Sequence, residues 1–303
     1  MKKCLLILFL MLVISLTACS NSAEGVKVIV PEGIPAIAQS KMEYDGEYII
    51  DRVTGPQNLS SSFSSESHDI IIAPINLGAN WYNKEAPYKL AAVLTWNNLQ
   101  LISKNPINSI LDLDNEDILA FGQGAVPEMI IAYLFSQINF NTQPRIDYSS
   151  TSTQQSLLSF LQGDVNFAII SEPTTTTARN MDEVYYFLDL VEILSEYTDT
   201  TNFPQAGVFI HNNLSKNKAE AYLDTLEKSE NYVLSNPQSS ASYCEDLDYP
   251  FSKEVIEESI PFSRIDFTLS KNIISELDDF FQLIYDYKPE LIGSNLPDED
   301  FYW

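Results

Sequence analysis

The sequence has few basic residues for its size, and this shortage limits what the protein can bind. Its 303 residues include 17 Lys and Arg but 42 Asp and Glu, which gives a formal net charge of -25. A chain this acidic is repelled by nucleic-acid phosphates and by anionic lipid surfaces. We therefore predict that nucleic acid is not a partner. The hydrophobic content of 45% is that of a globular protein.

Cysteine and histidine, which most metal sites and many nucleophilic sites require, are also scarce. Cys4, Cys19 and Cys244 are the cysteines, and His68 and His211 are the histidines. The two histidines are far apart and have no Cys or His partner at ligand spacing, so we predict neither a metal site nor a cofactor. The sequence also lacks a Gly-x-Ser-x-Gly motif and a Cys–His pair, so the parts for nucleophilic hydrolysis are missing.

The first 18 residues have the features of an export signal. Lys2 and Lys3 give a positive start, and the apolar run at 5–16 is shorter than the ~20 residues that a membrane span needs. The run ends in the letters LTAC at 16–19, which resemble the lipobox of bacterial lipoproteins. In that family, cleavage leaves the cysteine, here Cys19, as a lipid-carrying N-terminus. The alternative is an ordinary signal peptide with an incidental cysteine.

Cleavage after residue 18 would leave a mature chain of 285 residues with a net charge of about -27. Residues 19–25 would form a short polar tether. Only Cys244 would remain as a free thiol, so an internal disulfide is excluded and the exported protein must fold on its core alone. No second apolar run of membrane length follows. These features predict a lipid-anchored protein, carrying palmitate, at the extracytoplasmic face of the membrane.

Strand-like and helix-like segments alternate along the rest of the chain in two successive sets. The strand-like segments of the first set lie at 26–30, 47–53, 69–73 and 89–103. Those of the second set lie at 117–121, 145–148, 165–170 and 205–210. This alternation predicts an α/β fold whose largely parallel sheets are covered by helices. Ligands bind at the carboxyl ends of the strands in such sheets, so two facing sheets would form a cleft.

Five segments of the chain also match a known pattern in order and spacing. They are PEGIPAIA at 31–38, DIIIAP at 69–74, the segment 147–173, FPQAG at 203–207 and IGSNLPD at 292–298. Together they resemble the extracytoplasmic solute-binding proteins of ABC importers, in the branch that handles nitrate, sulfonates, taurine and thiamine-pyrimidine precursors. The resemblance implies a two-lobed type II periplasmic-binding fold with a hinge and an interlobe cleft. It places the first lobe at 26–95 and about 212–303, and the second lobe at 96–211.

On the first lobe and at the crossing to the second, three strand ends supply candidate ligand-binding residues. They are Gly33, Ile34, Pro35, Pro74, Ile75, Asn76, Trp96 and Asn97. Gly33 would let the backbone approach a ligand closely, although a simple tight turn explains it as well. Asn76 could contact a ligand, cap the following helix, or do both. Trp96 offers a flat stacking surface, and its alternative is a buried core position.

On the second lobe, the corresponding candidates are Gln123, Gly124, Ala125, Ser150, Thr151 and Glu172. Backbone N–H groups at 123–125, before a helix, could hold a carboxylate, sulfonate or phosphate. Ser150 and Thr151 are hydroxyl donors, and the alternative is an ordinary N-cap loop. Glu172 would favour a cationic or N–H-rich ligand; the alternative is a structural carboxylate bonded to backbone amides.

The resemblance implies a monomeric, non-enzymatic solute receptor that captures a small molecule and delivers it to an ABC permease. Because the candidate residues include no Arg or Lys, a neutral or weakly basic aromatic heterocycle is favoured over an inorganic anion, and a sulfonate-like molecule held by backbone and hydroxyl donors stays open as an alternative. One alternative is an enzyme of the same fold acting on a nucleoside-like or cofactor-precursor substrate, with Glu172 as acid or base. Another is a signalling or assembly lipoprotein with a degenerate cleft.

Overall fold

The computed structural model describes residues 25–163, 165–182, 184, 186–198 and 202–303. The export signal predicted at 1–18, the lipidated Cys19 and most of the tether predicted at 19–25 lie outside the described residues. The described chain contains eleven strands in two sheets. The strands are β1 Lys27–Pro31, β2 Ile49–Val53, β3 Ile70–Pro74, β4 Tyr88–Trp96, β5 Leu99–Ser103, β6 Asp117–Leu119, β7 Arg145–Asp147, β8 Phe167–Ser171, β9 Tyr186–Asp189, β10 Pro204–His211 and β11 Ile265–Leu269.

Twelve α-helices of the described chain cover these sheets. They are α1 Ile34–Ile37, α2 Ser40–Tyr44, α3 Pro56–Ser65, α4 Ile75–Tyr82, α5 Val126–Gln137, α6 Thr153–Gln162, α7 Thr174–Arg179, α8 Leu190–Tyr197, α9 Lys216–Ser235, α10 Pro237–Asp246, α11 Lys253–Ser259 and α12 Ile274–Tyr287. Short 3-10 turns at Ile260–Phe262 and Pro289–Ile292 follow α11 and α12.

The first sheet has six strands in the order β11-β4-β10-β3-β1-β2. Its central strands are almost wholly apolar and buried, as in β3, where Ile70, Ile71 and Ile72 are fully covered. Such continuous β-branched runs are typical of strands that carry helices on both faces. The second sheet has five strands in the order β7-β6-β8-β5-β9.

The chain leaves the first sheet between β4 and β5, where the sequence predicts a single strand over 89–103. That prediction is wrong, because β4 pairs in the first sheet and β5 in the second. Two bonds of Asn97 mark the break: its N–H donates to the Phe203 carbonyl at 2.9 Å, and its side-chain Oδ1 accepts from the Leu99 N–H at 3.1 Å. A hydrophobic run carries no signal for such a change of sheet.

The return to the first sheet comes earlier than the sequence-based boundary at 211. β10 pairs antiparallel with β3 and β4, with Gly207 opposite both Ala73 and Val93. Residues 204–211 therefore belong to the first sheet, and the boundary of the second lobe moves to before Pro204. The sequence places this strand wrongly because its apolar composition suits either sheet.

The C-terminal part of the chain connects both sheets. Leu277, Phe280, Phe281 and Ile284 form the buried stripe of α12, at the spacing of one helix face. The Phe280 ring lies 5.9 Å from that of Phe203, and α12 packs on α5 beside the second sheet. One continuous hydrophobic cluster consequently extends from the first sheet to the second.

A buried carboxyl group fixes α9 to the edge of the first sheet. Both carboxyl oxygens of Glu230 accept from the Phe267 N–H of β11, at 2.9 and 3.0 Å. Burial raises the pKa of Glu230 from 4.5 to about 7, although the Phe267 bond opposes the shift. The folded protein therefore keeps a proton on Glu230 in a pH range where the unfolded chain has released it.

We predict that this carboxyl group makes the protein less stable as the pH rises. Between about 4.5 and 7 the folded state binds more protons at Glu230 than the unfolded state, so its free energy of unfolding falls by roughly 1–3 kcal/mol. Glu230→Gln should flatten this part of the profile, measured by urea unfolding from pH 4.5 to 8. Asp224→Asn, at an exposed position of the same helix, should leave the slope unchanged. An equal slope in the Glu230→Gln variant would contradict the assignment.

Candidate functional site

Strand directions bring the loops of each sheet to one edge. β1 is parallel to β2 and β3, and β10 is antiparallel to both β3 and β4, so the first four strands point the same way. In the second sheet β6 is parallel to β7 and β8, and β5 begins where β8 ends, with Leu99 opposite Ser171. The chain crosses between the two edges at Asn97 and Asn98. The carboxyl edges of the two sheets are therefore neighbours.

We call these loops the facing edges. The first facing edge consists of 32–35, 74–76 and 96–98, and the second consists of 120–125, 148–152 and 172–175. A hydrogen bond joins them directly, because the Asn76 amide Nδ2 donates to the Gly124 carbonyl at 3.3 Å. All the ligand-binding residues predicted from the sequence lie on one edge or the other.

The C-terminal segment adds further contacts on this side of the molecule. Asn76 Nδ2 also donates to the Leu291 carbonyl at 3.3 Å. Tyr287 donates its hydroxyl to Glu128 Oε1 at 3.1 Å, and the Lys288 ammonium lies 3.6 Å from the same oxygen. Glu128 is the third residue of α5, so these bonds tie the end of α12 to the second lobe.

On the opposite side, residues before β11 contact the second lobe. The Arg264 guanidinium donates to Asp189 at 3.0 Å, and the Asn180 amide donates to Glu258 at 3.0 Å. The Arg179 guanidinium also lies 4.4 Å from the centre of the Phe262 ring. The two lobes are thus held together on both sides of the facing edges.

The loop after β1 presents open backbone at Gly33. Its φ of 103° lies in the region that favours glycine, and no atom lies within 4 Å of where a Cβ would be. Ile34 is buried and Pro35 is half-buried in the short helix that follows. The positive φ agrees with a tight turn, and the free space leaves room for close approach as well.

The loop after β3 does not use Asn76 as a helix cap. Pro74 is the N-cap residue of α4 and Ile75 is its first residue, so the capping interpretation of Asn76 is wrong. The Asn76 side chain instead reaches to the second lobe and the C-terminal segment. Its Oδ1 is buried and has no hydrogen-bond partner among the described residues.

Trp96, Asn97 and Asn98, at the crossing between the two sheets, are more buried than residues that line a ligand site need to be. Trp96 is 6% exposed, and its indole N–H donates to the Asp266 carbonyl at 2.9 Å. It belongs to the hydrophobic cluster, as the core alternative expects. Asn97 Nδ2 and Asn98 Oδ1 are buried without hydrogen-bond partners in the described part of the chain. Asn98 was not among the residues predicted for the site.

The loop before α5 is poorly suited to an anion. Gln123 and Gly124 are exposed, but the Gly124 N–H already donates to Glu128 Oε2 at 2.5 Å. The Ala125 N–H donates to the Gly122 carbonyl at 3.0 Å. With the N–H groups of Gly124 and Ala125 occupied and a carboxylate beside them, this helix start does not favour an anion.

The loop after β7 contains two residues with structural contacts, Thr151 and Ser152, and one buried residue without a hydrogen-bond partner, Ser150. The exposed Thr151 donates its N–H and hydroxyl to Gln155 Oε1, both at 2.9 Å, and Ser152 caps α6. These are the contacts of an ordinary N-cap loop. Ser150 is only 3% exposed, and its hydroxyl has no partner among the described residues.

Glu172 has the structural role that the sequence leaves open. Its Oε2 accepts from the Thr176 N–H at 3.0 Å and from the Thr176 hydroxyl at 2.8 Å. Its Oε1 accepts from Arg179 Nη1 at 2.8 Å. Burial raises the pKa of Glu172, while the Thr176 and Arg179 contacts oppose the shift. The carboxylate is therefore committed within its own lobe.

Two residues that were not predicted from the sequence lie shortly after Glu172, beyond Pro173. Thr174 and Thr175 begin α7, are 1% and 0% exposed, and have hydroxyls without partners in the described chain. The run TTTT at 174–177, placed just after a predicted strand end, was the available signal. Threonine suggests turns or caps, so its hydroxyls did not stand out.

A surface cavity of about 600 Å³ lies beside the edge strand β2. In it, the Ser67 hydroxyl lies 2.9 Å from His68 Nδ1, and His68 Nε2 lies 3.0 Å from Asp51 Oδ2. The Asp51 side chain is 59% exposed, so water screens the electrostatic interactions of these three side chains. They form a surface hydrogen-bond network.

Comparison with solved structures finds the same architecture along nearly the whole chain. An ABC transporter protein from Parabacteroides distasonis has a TM-score of 0.80 at 23% identity, over 92% of this chain and 98% of its own. The alkanesulfonate-binding protein SsuA from Xanthomonas axonopodis pv. citri, bound to MOPS, has a TM-score of 0.67 at 12% identity, over 92% and 97%. The periplasmic aliphatic sulphonate binding protein SsuA from Escherichia coli also scores 0.67, at 14% identity, over 89% and 90%.

This chain has the periplasmic-binding fold. The likeness confirms the α/β fold class and the suspected resemblance at the level of the fold. No protein-family model and no curated protein matches the sequence.

Within this periplasmic-binding fold, the described residues contain no group of three or more His, Cys, Asp or Glu side chains placed to hold a metal ion. The same part of the chain has no helix long and apolar enough to cross a membrane.

Arg179 should matter for stability because it neutralises a buried carboxylate. The Glu172 side chain is fully buried and that of Arg179 is 28% exposed. Arg179→Met should lower the free energy of unfolding by about 2–4 kcal/mol near neutral pH, since it leaves an unpaired buried charge. Loss of Arg179 raises the pKa of Glu172 further, so the deficit should shrink as the pH falls and the carboxyl group is protonated in both states.

Urea unfolding of three variants would test this prediction. Arg145→Met breaks the exposed pair with Asp117 and should have little effect. Glu172→Gln combined with Arg179→Met should recover part of the lost stability, because no charge remains buried. A deficit that does not change with pH would contradict this account of Glu172.

Proposed function

We propose that this protein is the solute-binding subunit of an ABC importer. It captures a small molecule between the facing edges and delivers it to a membrane permease. The observation that carries the proposal is the gathering of unpaired buried polar groups on both facing edges. They belong to Asn76, Asn97, Asn98, Ser150, Thr174 and Thr175.

Buried polar groups without partners are costly, so their placement is informative. An unpaired amide or hydroxyl costs about 1–3 kcal/mol in a protein interior, and native structures contain few of them. Six such side chains lie on loops and helix starts that meet at the junction of two sheets. A small polar molecule bound there would supply the missing hydrogen bonds. The structural relatives support this interpretation, since their names describe them as transport or sulfonate-binding proteins.

The contacts between the lobes suit a protein that opens and closes. The Asn76–Gly124 and Tyr287–Glu128 bonds join the lobes directly and would be broken when the hinge opens. A bound molecule that contacts both edges would favour the closed form by shifting a population that already exists.

Catalysis is not part of this proposal. Glu172 is the one acid or base that the sequence offers for an enzymatic role. Its side chain is fully buried and bonded to Thr176 and Arg179, so it is not presented to a substrate.

The location of the protein forms part of the same proposal. The LTAC motif at 16–19 supports lipidation at Cys19, and the apolar run before it supports export. A lipid anchor would keep a monomeric receptor at the extracytoplasmic face, next to its permease. The acidic surface is consistent with a soluble body that stays clear of the anionic lipid headgroups.

Lobe closure can be tested by measuring a distance across the outer ends of the facing edges. Spin labels at Thr54→Cys and Gln154→Cys would occupy exposed positions that follow the outer strands β2 and β7. Cys244 is fully buried and its pKa is raised to about 12 by burial, so it should not take up the label. We expect double electron–electron resonance to give a shorter distance after addition of a bacterial metabolite extract.

A label pair within the first lobe, at Thr54→Cys and Asp224→Cys, serves as the control and should show no change. Retention of a compound from the extract without any shortening of the interlobe distance would argue against closure.

The anchor is tested by the variant Cys19→Ala in cells that incorporate labelled palmitate. The unaltered chain should carry label and sediment with membranes, whereas Cys19→Ala should carry none and move to the soluble extracytoplasmic fraction. Cys4→Ala is the matched control and should behave as the unaltered chain. Labelling of Cys19→Ala at the same level would overturn the assignment of the anchor.

A further inference from the structure

We propose that the molecule held between the facing edges is uncharged and carries both hydrogen-bond donors and acceptors. This inference rests on the proposed function and names the class of solute. It follows from which atoms of the facing edges are left unpaired, and from how the charged groups near them are already neutralised.

The orientation of three amide side chains is fixed by backbone partners. Asn97 Oδ1 accepts from the Leu99 N–H, which leaves Nδ2 as the unpaired donor. Asn98 Nδ2 donates to the Ser263 carbonyl at 3.3 Å, which leaves Oδ1 as an unpaired acceptor. Asn76 Nδ2 donates to the Gly124 and Leu291 carbonyls, which leaves its Oδ1 unpaired as well. Turning any of these amides around would place like atoms against each other.

The unpaired set is therefore mixed in chemistry. It contains the Asn97 donor, two amide acceptors and the hydroxyls of three further side chains, each of which can donate and accept. Those hydroxyls belong to Ser150, Thr174 and Thr175, all at most 3% exposed. A solute that satisfies this set must supply N–H or O–H donors to the amide oxygens and acceptor atoms to the Asn97 amide.

An anionic solute fits this set poorly. The sulfonate group and the nitrate ion offer acceptors only, so next to either of them the Oδ1 atoms of Asn76 and Asn98 would stay unpaired beside a negative charge. The carboxylate of Glu128 occupies the helix start that might otherwise hold an anion. Three cations between the lobes or on the second lobe are already engaged, since Arg179 pairs with Glu172, Arg264 with Asp189 and Lys288 with Glu128.

A cationic solute fits poorly for a related reason. The buried carboxylate of the second edge, Glu172, has its charge balanced by Arg179 and its oxygens filled by Thr176. Glu32 on the first edge lines the open cavity beside β2, where water screens its charge. Burying a charge without a partner costs far more than burying a neutral polar group.

The test uses three fractions of one bacterial metabolite extract, separated on ion-exchange resins into neutral, anionic and cationic compounds. The full chain, purified in detergent, is incubated with each fraction, and native mass spectrometry identifies the retained compound. MOPS serves as a defined sulfonate probe, used at a pH at which its morpholine nitrogen is unprotonated, because a structural relative binds it. Retention from the neutral fraction, without retention of MOPS, is the expected result.

Retention from the anionic or the cationic fraction alone would overturn this inference and leave the proposed function intact. Retention from none of the three would count against the proposed function itself, and the inference would fall with it. The two failures are therefore distinguishable.

Variants that remove unpaired hydroxyls then test whether these groups bind the compound retained from the neutral fraction. Thr175→Val keeps the branched shape and removes an unpaired hydroxyl, so the ligand-free chain should melt at the same or a higher temperature. Its Kd for the compound retained from the neutral fraction should rise at least tenfold. Ser150→Ala should act in the same direction.

The matched control is Ser240→Ala, which removes another fully buried and unpaired hydroxyl, in α10 away from the facing edges. It should leave the Kd unchanged. Equal affinity in Thr175→Val, Ser150→Ala and the unaltered chain would overturn the inference, whereas a loss confined to the facing-edge variants would support it.

Discussion

The common direction of the strands in each sheet is the constraint on which the rest of the structure depends. β1, β3 and β4 all end at one edge of the first sheet, and β6, β7 and β8 all end at one edge of the second. The two edges are neighbours because the chain crosses from β4 to β5 through only Asn97 and Asn98. Polar loop residues that would be solvated in a single sheet are consequently buried between two.

At this junction the charged side chains have hydrogen-bond or ionic partners, whereas several neutral polar groups do not. The charged side chains Glu172 and Glu128 are bonded within the protein, by Arg179 and Thr176 in one case and by Gly124, Tyr287 and Lys288 in the other. The neutral amides and hydroxyls are left with unpaired atoms. A protein interior tolerates an unpaired hydroxyl far better than an unpaired charge. Neutral amides and hydroxyls can therefore be left unpaired for a ligand at a smaller cost in stability than charged side chains.

The C-terminal segment makes the two lobes mechanically dependent on each other. The resemblance led us to expect that the C-terminal helices pack back on the first lobe. Helices α9 and α10 do pack on α2 of the first lobe. The end of α12 also reaches Glu128 of the second lobe, and the Leu291 carbonyl accepts from Asn76. Movement of the lobes therefore changes contacts of the C-terminal segment as well as those of the hinge.

Local sequence patterns were sufficient to predict the helices, the strands and the fold class. They were not sufficient to predict which strands pair or what each side chain contacts. The apolar run over 89–103 was predicted as one strand because hydrophobicity is the same on both sides of Asn97, and only the resemblance placed a lobe boundary within it, at 95/96. The strand β10 was assigned to the wrong lobe because its neighbours β3 and β4 are more than a hundred residues away in sequence. Trp96 was considered as a stacking surface, yet the Asp266 carbonyl and the hydrophobic cluster hold it in the core.

The sequence by itself determined the α/β alternation and the loops that carry the polar candidates, since both depend on composition or on short-range order. Only the tertiary structure decided which polar atoms remain unpaired. Glu172 looked available until Arg179 and Thr176 were seen around it, and Asn98, Thr174 and Thr175 gained their interest only from burial. Hydrogen-bond satisfaction is a property of partners brought together by folding, so no linear pattern can specify it.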